Sequence, residues 1–346
     1  MRRLAIYIVL LIIAISVSQI KVVAQKTDTI IHINGDVLTG DFKKMDYGVV
    51  TWKMDGMGTI SVEEVKINTI RSKKLFEIKM KSGLIYYGSF DTSRVNRKVY
   101  VVLSDRKELI NIEDIVEVYP IKRNFWMRTS GNFSLGFNYS KGSDVATAVI
   151  SGNLDYRKKK SYFDLSWDGN NTYQGDSLSA SKADIILTWQ RLLTKKWSTG
   201  VLVSAGQNTE LGTKLRVGVG IMALKDISYN IWNRFYIGAG LSVTREIPYG
   251  DSEDTDDLTG KFTAVWKVYK YTSPKVWLDS DITFLPYITG SSRYRVVFNL
   301  NPKVSIFSDD FKVGFKFYYS YDSSPASEAA STSDYGINLE LTYSFH

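Results

Sequence analysis

The C-terminal two thirds of the chain alternate between apolar and polar residues. From 311 to 321 the odd positions are Phe, Val, Phe, Phe, Tyr and Tyr, whereas the even positions include two lysines, a glycine and a serine. The same period of two returns over 335–345. Because successive side chains of a β-strand point to opposite faces, this pattern predicts strands with one apolar face and one polar face.

Twelve such runs follow one another between residues 126 and 346. They lie near 126–140, 145–156, 161–169, 182–193, 197–207, 212–223, 233–246, 259–270, 275–286, 292–303, 311–321 and 334–346. Tight turns at 157–160, 194–196, 272–274 and 308–310 alternate with longer polar loops at 170–181, 247–258 and 322–333. An even number of strands with short turns on one side is typical of an outer-membrane barrel. The connection 225–232 is an exception, because it falls on the side of the short turns and is longer than they are.

Aromatic residues gather near the ends of these runs, where the two interfaces of a membrane would lie. They are Trp126, Tyr139, Tyr156, Trp189, Trp197, Phe235, Tyr294, Tyr343 and Phe345. A ten-residue strand tilted by about 40° rises roughly 25 Å, which matches the apolar band of such barrels. We therefore predict a 12-stranded antiparallel transmembrane β-barrel over 125–346. A soluble β-sandwich is the alternative that shares the alternation.

Residues 25–124 contain an internal duplication. Two glycines and a phenylalanine recur at an offset of 48, at Gly35, Gly40 and Phe42 and at Gly83, Gly88 and Phe90. A short acidic motif at 62–65 recurs at 112–115, and we assign its offset of 50 to a longer loop at 92–98. The spacing predicts a tandem of small SH3-like or Sm-like β units. A spacer or protein-interaction module is the favoured role, and RNA binding is the alternative.

The N-terminus predicts a signal peptide over 1–24. An apolar run at 4–17 follows Arg2 and Arg3, and it is shorter than the roughly 20 residues that a spanning helix needs. The small residues Val22 and Ala24 indicate cleavage after Ala24. We therefore expect an exported protein of a Gram-negative cell, located in the outer membrane with 25–124 in the periplasm.

Composition narrows the partners. The chain has no cysteine, and its formal net charge of +8 falls to +5 without the three basic residues of the leader. That modest excess indicates no nucleic-acid partner. A mean hydropathy of −0.14 excludes a bundle of membrane helices. The expected partners are outer-membrane lipid and lipopolysaccharide, the barrel-assembly machinery, and a possible periplasmic protein.

The polar face of the barrel predicts a charged lumen. Pairing that is symmetric about residue 328 sets Lys316 opposite Glu340, and pairing about residue 288 sets Asp281 opposite Arg295. Internal salt bridges that compensate buried charge are the favoured role, and a narrow solute path is the alternative. Four inward glycines in neighbouring strands make room for long side chains or widen a pore, at Gly218, Gly220, Gly238 and Gly240.

An acidic segment within 251–257 is the remaining charged feature. It holds Asp251, Glu253, Asp254, Asp256 and Asp257, and it lacks the glycine and the distal glutamate of a calcium loop. A solvated exterior loop is the favoured interpretation, and weak bridging of divalent cations to lipopolysaccharide is the alternative.

Catalytic and cofactor chemistry has little support. The chain holds two histidines, His32 in the first β unit and His346 at the end, so neither can serve a hydrolase triad at the outer end of a strand. No zinc spacing is present, and Gly35 with Gly40 lacks the lysine of a phosphate loop. We expect no enzyme, no catalytic or metal site and no cofactor.

Three segments carry a family resemblance. Residues 215–220 read Leu-Arg-Val-Gly-Val-Gly, residues 234–241 read Arg-Phe-Tyr-Ile-Gly-Ala-Gly-Leu, and the third segment is Arg245-Glu246. These segments resemble the domain of unknown function 481 family, which includes salt-induced outer-membrane proteins, over roughly 125–346. The resemblance implies location and fold but no reaction. We expect a role in envelope maintenance or stress with a periplasmic interaction module. A narrow channel for small solutes or ions is the alternative, and a barrel enzyme is the third and least favoured.

Overall fold

The computed structural model describes residues 28–54, 56–121, 128–140, 144–158, 160–175, 177–193, 196–250, 253–270, 272, 274–289, 292–325 and 330–345. The predicted signal peptide, Trp126, Asp251 and His346 lie outside the described residues. In the described part of the chain, no helix is long and apolar enough to cross a membrane. The described residues form a small β domain followed by a large β-barrel.

The N-terminal domain consists of nine strands and two single-turn 3₁₀ helices. The strands are β1 (Asp28–His32), β2 (Val37–Asp46), β3 (Val49–Met54), β4 (Gly58–Glu63), β5 (Ile67–Met80), β6 (Ile85–Thr92), β7 (Lys98–Val102), β8 (Lys107–Asn111) and β9 (Ile115–Pro120). The 3₁₀ turns are Glu64–Lys66, before β5, and Ile112–Asp114, before β9. Gly35 and Gly83 adopt the positive φ that their hairpin turns need.

The duplication is present, and its offset is 48 throughout. The 3₁₀ turn Glu64–Lys66 corresponds to Ile112–Asp114, and buried Ile67 corresponds to buried Ile115. The predicted offset of 50 for the acidic motif was wrong. The two units correspond at the turns and at the buried isoleucine that follows each turn, and the acidic residues do not occupy equivalent positions.

The two units are fused rather than strung in tandem. Strand β5 pairs with β1 through its first half and with β6 and β9 through its second half, and β9 also pairs with β2. Phe42 of the first unit packs against Phe76 and Phe90 of the second, with ring centroids 5.0 and 6.1 Å apart. One apolar core therefore serves both units.

The C-terminal part is a closed barrel of twelve strands among the described residues. The strands are β10 (Thr129–Ser140), β11 (Val145–Lys158), β12 (Ser161–Gln174), β13 (Ser177–Leu192), β14 (Trp197–Asn208), β15 (Thr213–Tyr229), β16 (Asn233–Pro248), β17 (Thr255–Lys270), β18 (Val276–Pro286), β19 (Tyr294–Ile306), β20 (Ser308–Asp322) and β21 (Ser333–Phe345). Each strand is antiparallel to the next, and β10 pairs with β21 to close the ring. The predicted strand number is confirmed.

The alternation has the predicted orientation. In β21 the odd positions are exposed, as in Ile337 and Leu341, whereas Asn338, Glu340 and Thr342 on the even positions are buried inside the barrel. Large exposed side chains cover the outside of the other strands in the same way, including Ile221 at 63% exposure. The barrel therefore has an apolar exterior and a polar interior, which excludes the sandwich alternative.

Three predicted connections differ from the structure. The tight turn predicted at 308–310 lies at 307 instead, because β19 ends at Ile306 and β20 begins at Ser308. Strands β12 and β13 extend to Gln174 and from Ser177, so most of the predicted loop 170–181 is strand. The sequence did not predict strands here because the outward face of this segment carries few apolar residues, so the apolar–polar alternation is weak. The predicted long connection 225–232 shrinks in the same way, since β15 continues to Tyr229.

Aromatic rings form contacts near both ends of the barrel. We call the end that carries the N-terminal domain proximal and the opposite end distal. Phe311 and Tyr343 lie 5.1 Å apart near the proximal end, and Tyr294 and Tyr321 lie 5.8 Å apart near the distal end. Such belts are the arrangement that places amphipathic rings at membrane interfaces.

Candidate functional site in the barrel lumen

A cavity of about 1480 Å³ occupies the interior of the barrel. Its lining includes residues of the N-terminal domain, among them Lys44, Glu117 and Tyr119, as well as inward residues of the barrel strands. Polar and charged side chains predominate on the wall. We call this cavity the chamber, and the domain forms its proximal boundary.

The distal end of the lumen is crossed by a network of paired charges, the distal charge cluster. It consists of Arg216, Glu246, Arg293, Arg295 and Asp322. Arg293 lies 2.9 Å from Glu246 and 2.7 Å from Asp322, and Arg295 lies 3.3 Å from Asp322. Because Asp322 is fully buried, these arginines supply the partners that a buried carboxylate requires. The cluster therefore places five charged side chains in the distal lumen.

Further inside the lumen, Lys316 forms an ion pair with Asp168. Lys316 is on β20 and Asp168 on β12, so the contact spans the barrel interior rather than joining neighbouring strands. The predicted pairing of Lys316 with Glu340 was wrong. Strand β20 sets Lys316 opposite Asn338 and Gly314 opposite Glu340, because the hairpin is symmetric about residue 327.

Glu340 is nevertheless inside the barrel wall, as predicted. It is fully buried, and its Oε1 accepts a hydrogen bond of 3.2 Å from Ser151 Oγ. Gly136 of β10 lies between these two strands and has no side chain there. The missing side chain leaves room for the carboxylate and the serine to meet.

The predicted pairing of Asp281 with Arg295 was also wrong. Strands β18 and β19 set Asp281 opposite Asn299, whose Nδ2 donates to Asp281 over 3.0 Å. Arg295 belongs instead to the distal charge cluster. The connection after β18 ends four residues later than the symmetry about residue 288 assumed, so the register changes while the inward face is kept.

Two of the four inward glycines, Gly238 and Gly240, lie against long side chains, whereas Gly218 and Gly220 lie against serine and threonine side chains and backbone. A Cβ at Gly238 would lie 2.4 Å from Leu224 Cδ2, and one at Gly240 would lie 2.9 Å from Met222 Cβ. Leu202, Met222 and Leu224 form a small apolar cluster with Tyr236 inside the lumen. The contacts of Gly238 and Gly240 agree with the first of the two roles predicted for the glycines, which is to make room for long side chains.

The N-terminal domain docks on the proximal rim through Arg157, the penultimate residue of β11. Its guanidinium lies 3.5 Å from Glu117 Oε2 and 4.0 Å from Glu77 Oε1, and 4.1 Å from the ring centroid of Tyr119. Lys79 of the domain lies 3.0 Å from Glu117. The sequence predicts a tight turn at 157–160 but does not predict this docking role.

The charges at this contact shift the pKa values of Glu117 and Tyr119 in the N-terminal domain. Burial opposes ionisation of Glu117, but Lys79 and Arg157 more than offset it and hold the pKa of Glu117 well below its usual range. Burial likewise raises the pKa of Tyr119, and the carboxylates of Asp46 and Glu117 raise it further. Glu117 is therefore an anion and Tyr119 a neutral donor at neutral pH.

Further contacts hold the domain around the rim. The rings of Tyr47 and Tyr269 are stacked with their centroids 4.0 Å apart. A Cβ at Gly48 would lie 3.2 Å from Ile231 Cβ in the β15–β16 turn, and Lys275 Nζ donates to Ser61 over 3.4 Å. These contacts span the rim from β11 to β18.

The acidic segment is split between a loop and a strand. Arg245 lies 3.0 Å from Asp254 and 3.7 Å from Asp256, and Asp257 accepts a hydrogen bond from Thr289. Glu253 is exposed. Within the described residues, no group of three or more acidic or histidine side chains is arranged to hold a metal ion.

Three members of the distal charge cluster were not anticipated. Alternation marks Glu246 as a candidate for the inner face, whereas Asp322 falls in the predicted loop 322–333. The period of two also does not reveal which strands meet across the lumen. Arg293 falls in the predicted run 292–303 on the same face as Arg295, but in the structure it precedes β19, and alternation does not give its partners. An inward acid near a strand end was the available signal for Glu246.

A closed antiparallel barrel with an even number of strands, an apolar exterior, aromatic belts and a charged interior has the fold of an outer-membrane β-barrel. The chain belongs to the family described as protein of unknown function DUF481, whose model matches residues 133–345. The predicted family resemblance is thereby confirmed. Curated proteins give no match to the chain.

Solved structures of similar architecture include three barrels of low sequence identity. The NanC porin is 9% identical, with a TM-score of 0.41 over 62% of this chain and 98% of that one. CdiB from Acinetobacter baumannii is 6% identical, with a TM-score of 0.38 over 79% and 66%. BamA from Haemophilus ducreyi lacking POTRA domains 1–3 is 12% identical, with a TM-score of 0.33 over 69% and 47%.

Proposed function

We propose that this protein spans the outer membrane as a narrow path for small polar solutes, with its N-terminal domain in the periplasm covering the inner mouth. The observation that carries this proposal is the chamber, which is lined jointly by the barrel and the domain. A barrel with a purely structural role needs no polar space of about 1480 Å³ in its interior.

The two boundaries of the chamber suggest how passage is restricted. Proximally the domain covers the rim through Arg157 and the Tyr47–Tyr269 stack. Distally the charge cluster places ion pairs such as Arg293–Glu246 in the lumen. We expect a low conductance at rest, because a solute has to displace paired charges at one end and pass the domain at the other.

Planar bilayer recording of the full chain tests this function. We expect small unit currents from the wild-type protein and larger or more frequent ones from Arg157→Met, which loosens the domain. Arg106→Met, which removes an exposed cation of the same domain, is the matched control and should leave the currents unchanged. Silence from the wild type and from Arg157→Met would contradict a solute path.

Envelope maintenance is the second candidate, and the distal charge cluster favours it. A network that ties β15, β16, β19 and β20 together across the lumen stiffens the barrel. In that case the chain would be silent in bilayers, and its loss would weaken the cell envelope. Sensitivity of a deletion strain to detergent and salt, restored by a chain that does not conduct, would support this role.

Assembly and partner binding follow from two exposed surfaces. Strand β21 ends in outward Tyr343 and Phe345, which supports recognition by the barrel-assembly machinery. The domain exposes Leu75 and Leu84, which supports contact with a periplasmic protein. Cross-linking in cells, with Leu84→Ser as the variant and Leu109→Ser as the control, tests the second idea. Equal cross-linking by both variants would reject this surface.

A further inference from the structure

The charges that line the chamber are separated by side. Strands β11, β12 and β13 carry an acidic wall, which consists of Asp155, Asp164, Asp168 and Asp184. Strands β17, β19 and β20 carry a basic wall, which consists of Lys261, Lys267, Lys303 and Lys316. In the ring of twelve strands, β12 lies five strands from β17 and from β19 and four from β20, so the two walls lie on different sides of the lumen.

Two cations on the strands of the acidic wall are directed elsewhere, and a third, Lys158, is the last residue of β11 at the proximal end. Lys182 starts from β13, but its Nζ lies 4.0 Å from the ring centroid of Tyr318 and 3.3 Å from Ser320 Oγ, both on β20. Its charge therefore adds to the basic side. Arg157 is directed at the acids of the N-terminal domain.

The basic side also contains two acids, and each has a neighbour of its own. Asp279 lies 3.9 Å from Lys267, and Asp281 accepts a hydrogen bond from Asn299. Neither carboxylate is directed at the acidic wall by these contacts. The transverse separation of charge thus remains at the level of Lys316 and Asp168.

One direct ion pair joins the two walls within the described chamber lining, and it is Lys316–Asp168. Both side chains keep some exposure, 13% for Lys316 and 26% for Asp168, so a solute has access to them. A molecule that carries an ammonium and a carboxylate group can replace this pair with two new ones. A solute with a single charge satisfies one wall and leaves the other group unpaired, which costs free energy in a confined lumen.

We propose that the chamber favours small zwitterionic solutes, with Asp168 receiving the ammonium group and Lys316 the carboxylate group. The inference rests on the proposed solute path and specifies its substrate class. The transverse field of the two walls aligns the dipole of the solute, and a neutral solute of the same size gains nothing from it.

Swelling of liposomes that contain the full chain tests the preference, with threonine as the zwitterion and erythritol as the neutral probe. We expect threonine to enter faster, and we expect Lys316→Met and Asp168→Asn to lower the threonine-to-erythritol rate ratio by about tenfold. Lys214→Met, which removes an exposed lysine outside the chamber lining, should keep the wild-type ratio.

The exchanged variant Asp168→Lys with Lys316→Asp keeps the pair and reverses its direction. Because a zwitterion can turn around, we expect this variant to recover most of the threonine preference, and it replaces any single variant that fails to fold. Entry of both probes at equal rates in wild type would overturn the substrate class alone. Entry of neither probe would instead overturn the solute path.

Discussion

Arg157 of the barrel lies 3.5 Å from Glu117 of the N-terminal domain, and this contact joins the two parts of the chain. Glu117 is nearly buried and also lies 3.0 Å from Lys79. The carboxylate therefore has one cation from its own domain and one from the barrel rim, so its charge state links domain docking to pH.

Acid should release the domain from the rim. The pKa of folded Glu117 lies below its ordinary value of 4.5, so its contribution to stability is fully present above about pH 4.5. That contribution declines as pH falls toward the lowered pKa. We expect the protection factors of the β9 amides, which remove the intrinsic pH dependence of exchange, to fall below pH 4.5 in wild type.

Glu117→Gln is the matched variant for that experiment. It cannot ionise, so its β9 protection factors should already be lowered at neutral pH and should change less with acid. Parallel pH curves for Glu117→Gln and wild type would show that another group controls the contact.

Asp322 should be more important for stability than an exposed acid with similar partners. Asp322→Asn leaves Arg293 and Arg295 without their buried carboxylate, and removing one partner of a buried pair costs about 3–5 kcal/mol. The control is Asp256→Asn, since Asp256 is 68% exposed beside Arg245 and solvent screens such an exposed pair, so its loss should change stability little. Urea unfolding of the barrel in detergent measures both. Equal losses would mean that the distal charge cluster does not stabilise the fold.

The lumen glycines give a prediction with a built-in rescue. A methyl group at Gly238 meets the end of the Leu224 side chain, so Gly238→Ala should destabilise the barrel by about 1–3 kcal/mol. Combining it with Leu224→Ala should recover part of that loss, because the shortened side chain makes space. Gly240→Ala meets the carbonyl oxygen of Ile221, and Leu224→Ala should not rescue it. Rescue of both variants would argue against specific packing.

The outward face should reject charge at mid-height. Ile221 is 63% exposed on β15, and Ile221→Arg should cost about 2–4 kcal/mol if this face contacts lipid. Val37→Arg, at a 60% exposed position of the N-terminal domain, should have no effect on insertion. Folding yields into lipid vesicles compare the two. Unimpaired insertion of Ile221→Arg would contradict a membrane-facing exterior.

Much of the barrel could be predicted because alternation carries both strand position and orientation. The inward placement of Lys316 and Glu340 followed from that period alone. Their partners did not, since a shift of the hairpin by two residues preserves every side chain's face and changes every opposite residue. Register depends on where each strand ends in three dimensions.

Contacts across the lumen, and between the domain and the barrel, could not be predicted from the sequence for a different reason. Lys316 and Asp168 are separated by 148 residues, and only closure of the ring brings their strands face to face. The docking of Arg157 on Glu117 likewise depends on the orientation of the domain below the rim. In the N-terminal domain, repeated glycines revealed the duplication, but not the sharing of β5 that fuses the units.

A reversible lock between the domain and the rim tests the central claim most directly. The chain has no cysteine, and a Cβ at Gly48 would lie 3.2 Å from Ile231 Cβ, so Gly48→Cys with Ile231→Cys introduces one disulfide across the contact. The positive φ at Gly48 adds strain of about 1–2 kcal/mol, which each single variant controls for. In planar bilayers we predict lower conductance of the double variant when oxidised and recovery on reduction. Equal conductance in the two redox states would contradict a lumen that the domain covers and controls.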